Sequence, residues 1–171
     1  MRGRQVKIPG GNIRPAMDRM RESVFATLGD LSGKSFLDIF SGSGIIALEA
    51  ASRGAIYIEA IEMDPLKRKT LLENVSISPT RIHCHFMSAE LYIKRAKKPF
   101  DIIFCDPPFP YKYRWELIRS IACSPLVKTG SSLLLHRPRE DFCDDLPENL
   151  TLSDTREYGR SVVNFFTFSD L

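Results

Sequence analysis

A carboxylate, two prolines and an aromatic ring stand together at Asp106-Pro107-Pro108-Phe109, directly after the apolar stretch Phe100–Cys105. Two consecutive prolines hold the backbone as a stiff extended turn, and Pro108 brings no N–H to pair locally. The Pro107 carbonyl is then left to accept a hydrogen bond from a ligand. Asp106 is a second acceptor, and Phe109 offers a flat face on which a flipped base can stack. These parts suit methyl transfer to the exocyclic amine of a nucleic-acid base. Such an amine has its lone pair delocalised into the ring and is a poor nucleophile. Two acceptors on its hydrogens turn the nitrogen toward sp³ and stabilise the positive charge that grows as the methyl arrives. The plain alternative is a rigid loop in which Asp106 caps a neighbour and Phe109 packs in the core. Position after a fourth strand, downstream of a glycine loop, favours the chemical reading.

The glycine loop is Leu37-Asp38-Ile39-Phe40-Ser41-Gly42-Ser43-Gly44. Gly42 and Gly44 permit a sharp turn and a close approach of ligand to main chain. Glu62, at the end of the next strand, could accept hydrogen bonds from both hydroxyls of a ribose. Gly42-x-Gly44-x-x-Ala47 with a later acid also satisfies a nicotinamide-dinucleotide fingerprint, so the loop alone leaves an oxidoreductase open. Asp38 separates the two. An acid four residues before the glycines suits a cofactor carrying an ammonium and a sulfonium, and repels a pyrophosphate. S-adenosylmethionine has both cations and no phosphate. Ser88-Ala89, after the third strand, falls where its adenine would lie.

The elements that must position these residues alternate. A helix is predicted over 17–29, with Met17, Met20, Val24, Phe25 and Leu28 on one face. Strands follow at 35–40, 56–61, 82–86, 100–105 and 131–135. Helices are predicted at 42–53, from the Asp64-Pro65 cap to about Ser78, from the Ser88 cap to about Lys94, and at 114–122. The tail changes character, with strands at 150–158 and 162–168 joined at Gly159. The pattern predicts an α/β, Rossmann-like sheet, mostly parallel, with helices on both faces and an antiparallel C-terminal strand. In such sheets ligands sit at the carboxyl ends of the strands, where strand order reverses.

With 171 residues the chain has the size of a single domain, residues 1–30 forming a basic arm and helix. The net charge of +3 is too mild to indicate a partner, but its distribution is uneven. Arg2, Arg4, Lys7, Arg14, Arg19 and Arg21 face only Asp18 in the first 21 residues, which suits a phosphate-contacting arm or a solvated terminus. The four cysteines form no C-x-x-C pair, which suits a reducing compartment. No apolar run approaches the roughly 20 residues needed to cross a bilayer, so a cytoplasmic protein is expected.

These residues resemble a known family. The glycine loop with Leu48-Glu49-Ala50-x-Ser52-Arg53-Gly54-Ala55, then Glu62-Met63-Asp64 and Asp106-Pro107-Pro108-Phe109, are similar to the RsmD family, bacterial methyltransferases of 16S ribosomal RNA acting on the N2 amine of a guanine. Arg14-Pro15-Ala16-Met17-Asp18-Arg19-Met20-Arg21-Glu22 resembles that family's N-terminal signature, and Tyr158-Gly159 its C-terminal end. The resemblance implies the class I methyltransferase sheet of seven strands with S-adenosylmethionine as cofactor. Asp38, Gly42 and Gly44 would hold its methionine moiety, Glu62 the ribose, Ser88-Ala89 the adenine edge, with Asp106 at the same cleft. Asp106, Pro107 and Phe109 would be catalytic. Arg2, Arg4, Arg14, Arg19, Phe109 and Tyr111 would bind small-subunit ribosomal RNA, within an assembling 30S particle, the enzyme acting as a monomer.

The chain departs from the family pattern at Ala16, where threonine is usual, at Ser41, where alanine is common, and at His136, where an acid is expected. Its first N-terminal strand also looks shortened. His83 and His85 share a strand face without a third ligand and read as satisfied polar residues, not a metal site. His136 reads as a core residue near the pocket. The nearest rival activity is adenine-N6 methylation of DNA or RNA through the same turn. A non-catalytic RNA-binding protein on this fold is the other alternative.

Overall fold

The computed structural model describes residues 15–170. Helix α1 (Pro15–Leu28) precedes β1 (Ser35–Ile39), α2 (Ile45–Ser52) and β2 (Tyr57–Ile61). A 3₁₀ turn, Pro65–Lys67, leads into α3 (Arg68–Val75), β3 (Ile82–His85), α4 (Ala89–Arg95) and β4 (Ile102–Cys105). The chain ends with α5 (Arg114–Ala122), β5 (Ser132–Pro138), β6 (Leu150–Tyr158) and β7 (Ser161–Phe168).

All seven strands join one sheet in the order β3-β2-β1-β4-β5-β7-β6. β1 to β5 run parallel, and β7 is antiparallel to both β5 and β6. This is the expected mostly parallel, class I Rossmann-like architecture. The central strands are apolar on both faces because helices cover both. On one face Phe36, Ile58 and Phe104 meet Met20, Val24 and Phe25 of α1 and Ile46 and Leu48 of α2. On the other, Leu37, Ile39 and Ile103 meet Tyr92 and Ile93 of α4 and Leu117, Ile118 and Ile121 of α5. Burying a side chain of this size contributes roughly 1.5–3 kcal/mol, so the two cores fix the sheet that carries the site.

Two elements differ from the sequence expectation. The Asp64 carboxylate does cap the chain, accepting from Leu66 N at 2.9 Å, but it opens the 3₁₀ turn. The helix that follows stops at Val75 in a series of tight turns, with Ile77 N bonded to Asn74 O and Ser78 N to Val75 O. β5 runs on to Pro138, three residues past the predicted end, because β7 pairs with it along its length. That extension places His136 inside a strand, opposite Val163.

Candidate active site

The strand order reverses at β1, whose neighbours are β2 on one side and β4 on the other. A cleft of about 1080 Å3 opens at the carboxyl ends of these strands. Of the residues singled out in the sequence, Gly42, Glu62, Ser88, Ala89, Asp106, Pro107, Phe109 and Tyr111 line it. Asp38 lies beneath the floor, 1% exposed. Arg19 is exposed and lines a separate groove with Glu157 and Tyr158. Arg2, Arg4 and Arg14 lie outside the described residues.

The floor is a strained loop. Phe40 has φ 64° and is the single positive-φ residue other than glycine among the described residues. Such a conformation costs on the order of 1–3 kcal/mol and persists where surrounding contacts enforce it. Gly44 follows with φ 79°, a backbone conformation that favours glycine, and a Cβ there would also press on Leu71 Cδ1 at 2.5 Å. Ser41 N donates to Ile61 O at 2.8 Å and Gly42 N to Glu62 Oε2 at 2.8 Å, fastening the loop to the end of β2. Glu62 Oε1 takes Asp64 N at 2.8 Å. Glu62 thus organises two backbone turns while each oxygen keeps a lone pair toward the cleft. Ser88 has a structural duty too, its hydroxyl capping α4 at Leu91 N.

Asp38 beneath the floor lies close to Glu62 and Asp106 in a cleft that Asp64 and Glu90 also line. Burial pushes the Asp38 carboxyl up to about 7, and the charges of Asp106 and Glu62 add to the rise against a 2.6 Å hydrogen bond from Ser41 Oγ. Among the described residues, Lys67 Nζ stands 3.7 Å from Glu62 Oε2. A cationic ligand relieves this repulsion, and a pyrophosphate aggravates it. The donor set therefore fits S-adenosylmethionine and disfavours a dinucleotide.

The opposite wall is the Asp106-Pro107-Pro108-Phe109 turn, tied to the floor by Asp106 N donating to Ile39 O at 3.2 Å. Arg114, at the start of α5, is 1% exposed and reaches under the turn. Its Nη2 donates to Pro108 O at 3.3 Å and to Phe109 O at 3.2 Å, while Nη1 pairs with Asp141. Tyr111 N donates to Pro108 O as well, at 2.8 Å. Among the described residues the Pro107 carbonyl receives no hydrogen bond, and it is the one the sequence leaves for a ligand. Phe109 presents a half-exposed ring, 48% accessible. Tyr111 donates its hydroxyl to Glu90 and sets its ring edge-on to Phe40 at 5.4 Å. Burial and the Glu90 carboxylate raise the Tyr111 phenol well above its usual range.

Sequence reasoning missed three participants, Phe40, Glu90 and Arg114, and left the role of His136 open. Phe40 and Glu90 line the cleft, but nothing in a sequence marks a strained phenylalanine or a glutamate in a first helical turn. Arg114 opens an amphipathic helix and looks solvent-facing. His136, read as a core residue, is 3% exposed, yet it lines the cleft and sets Nδ1 2.8 Å from Asp106 Oδ1. Its place at a strand end was the available signal. His83 stacks on Tyr57, and His85 lies 2.6 Å from Glu59, away from the cleft.

A doubly wound sheet with one reversed strand, carrying an acidic cofactor cleft beside a proline-stiffened acceptor turn, defines a class I S-adenosylmethionine-dependent methyltransferase. The chain belongs to the RsmD family: the family model described as Conserved hypothetical protein 95 matches residues 1–167. A curated relative, Ribosomal RNA small subunit methyltransferase D of Escherichia coli (strain K12), is 34% identical over 168 residues, covering 96% of this chain and 85% of the relative. Among solved structures, the putative methyltransferase yhhF from Escherichia coli superposes with a TM-score of 0.88 at 27% identity, covering 99% of this chain and 94% of that one. The structure of SMU.776, a putative methyltransferase complexed with SAH, shares the fold at a TM-score of 0.71 and 17% identity, over 91% of this chain and 50% of that one.

Proposed function

We propose that this enzyme transfers a methyl group from S-adenosylmethionine to the N2 amine of a guanine in small-subunit ribosomal RNA. One observation carries the reading: the Asp106 carboxylate and the unshared Pro107 carbonyl open on the same cleft as Glu62 and Ser88. The family relative named for small-subunit ribosomal RNA supports the substrate. When bound, the cofactor supplies an electrophilic methyl on a sulfonium, whose carbon–sulfur electron pair returns to sulfur on transfer. Asp38, Gly42 and Gly44 hold the methionine end, Glu62 the ribose, and Ser88 and Ala89 the adenine edge. Phe109 stacks the flipped base. Asp106 and the Pro107 carbonyl each accept one amine hydrogen, so the nitrogen lone pair is freed toward the methyl. Asp106 is placed to take the proton that the nitrogen sheds.

The RNA is met on the ribosomal particle during assembly, in the cytoplasm, by a monomer whose Arg2, Arg4, Arg14 and Arg19 contact phosphates. Among the described residues, no helix is long and apolar enough to cross a membrane. The test is methyl transfer to naked 16S RNA and to 30S subunits from cells lacking the gene, with the products digested to nucleosides. N2-methylguanosine at one position is expected; N6-methyladenosine or no product refutes the proposal. Replacing Arg2, Arg4 and Lys7 by Gln should lower the salt slope of RNA binding by about 2.

A further inference from the structure

His136 touches both working groups of the acceptor wall. Its Nδ1 lies 2.8 Å from Asp106 Oδ1, and the Phe109 ring meets the imidazole edge-on at 5.6 Å. On its far side Nε2 lies 2.9 Å from Ser161 Oγ on β7. The Asp106 side chain is 25% exposed at the mouth of the cleft, so without a partner it is free to turn.

The protons follow from the partners. An ionised Asp106 only accepts, so Nδ1 carries the hydrogen and donates it to Oδ1. In the neutral ring Nε2 is then an acceptor, filled by the Ser161 hydroxyl. That hydroxyl also has the Tyr158 carbonyl within 3.2 Å. When the ring takes a second proton, Nε2–H donates to Ser161 Oγ, and the hydroxyl swings onto Tyr158. Both ring nitrogens keep a hydrogen-bond partner in both states, and Nδ1–H points at Asp106 in both.

We propose that His136 is a positioning residue for the transfer step: its Nδ1–H pins Asp106 Oδ1 so that Oδ2 faces the substrate amine, with Ser161 filling Nε2 on the far side. This rests on the reading of the cleft as an amine methyltransferase site. His136 does not touch the amine, and it acts through Asp106 and through the seat of Phe109.

Substitutions separate the two nitrogens. Asn places an amide donor near the Nδ1 position, whereas Gln reaches toward Ser161 and abandons Asp106. His136→Ala should lower kcat about 30- to 100-fold, with KM for RNA and cofactor Kd within about threefold. His136→Asn should recover to within about fivefold of wild type, and His136→Gln should behave as Ala. Equal loss in Asn and Gln variants, or a loss confined to KM, overturns the proposal. Thermal denaturation of each variant accompanies the kinetics, so that a folding defect is seen as such. A second measurement needs no turnover: 15N imidazole spectra of the wild-type protein at pH 8 should show His136 with Nδ1 protonated, and Ser161→Ala should perturb the Nε2 signal. An unprotonated Nδ1 overturns the proposal. Absence of guanine methylation by the wild-type enzyme sinks the proposed function, while the tautomer measurement still decides the role of His136.

Discussion

On the β2–β3 side of the cleft the contacts that fix the cofactor-side groups span short stretches of chain, apart from the 20 residues between Gly42 and Glu62. Ser41 holds Asp38, Ser88 caps its own helix, and Glu62 joins Asp64 and Gly42. On the β4–β5 side they span long ones. Arg114 reaches Asp141, and His136 reaches both Asp106 and Ser161. The Tyr158 hydroxyl donates to Ser23 Oγ at 2.7 Å and ties the last hairpin to α1. The cofactor side can therefore form from local turns once β1 and β2 pair. The acceptor side needs α5, β5, β7 and the connection between β5 and β6 all docked. Cofactor affinity and catalytic turnover should accordingly respond to different mutations.

The sharpest break of that contrast is Asp106→Ala. It should reduce kcat by about 10³-fold while leaving cofactor Kd within about threefold, measured by single-turnover transfer and calorimetry. Equal losses in both would move Asp106 to the cofactor side. Arg114→Met leaves Phe109 O without its side-chain donor and takes one of two donors from Pro108 O and from Asp141, which keep Tyr111 N and Trp115 Nε1. Because Asp141 is partly solvated, the cost should be about 2–3 kcal/mol, seen as a Tm lower by roughly 5–10 °C, with the turnover loss exceeding the affinity loss.

A smaller effect tests the cofactor side through pH. Asp38 is protonated below about 7, and a cationic cofactor favours its ionised form, so binding releases a proton as pH falls below that value. Cofactor Kd should tighten by up to about tenfold per unit as pH rises toward 7 and then level off. Asp38→Asn should flatten that profile. Smallest is Tyr158→Phe, which removes one hydrogen bond for about 1 kcal/mol and a few degrees of Tm, with no change in cofactor affinity.

The same contrast explains what the sequence made legible. Asp38, Gly42, Glu62 and Ser88 sit next to the strand ends that reveal them, because glycines, caps and alternating apolar runs are local signals. The alternation of strands and helices, and with it the mostly parallel sheet, was readable for the same reason. Arg114 and His136 draw their surroundings from residues more than 20 positions away, and no periodicity encodes such a pairing. β5 was read too short because its last residues, His136-Arg137-Pro138, lack strand character alone. They become strand when β7 supplies the ladder. The positive φ of Phe40 leaves no trace in residue type.

That phenylalanine sets backbone strain against packing. Phe40→Gly would relieve the left-handed backbone, yet it would remove a ring that packs against the core and on which Tyr111 rests. The cleft would then lose the brace between its floor and its acceptor wall. The variant should turn over more slowly with no gain in melting temperature, because the lost packing offsets the strain that is relieved.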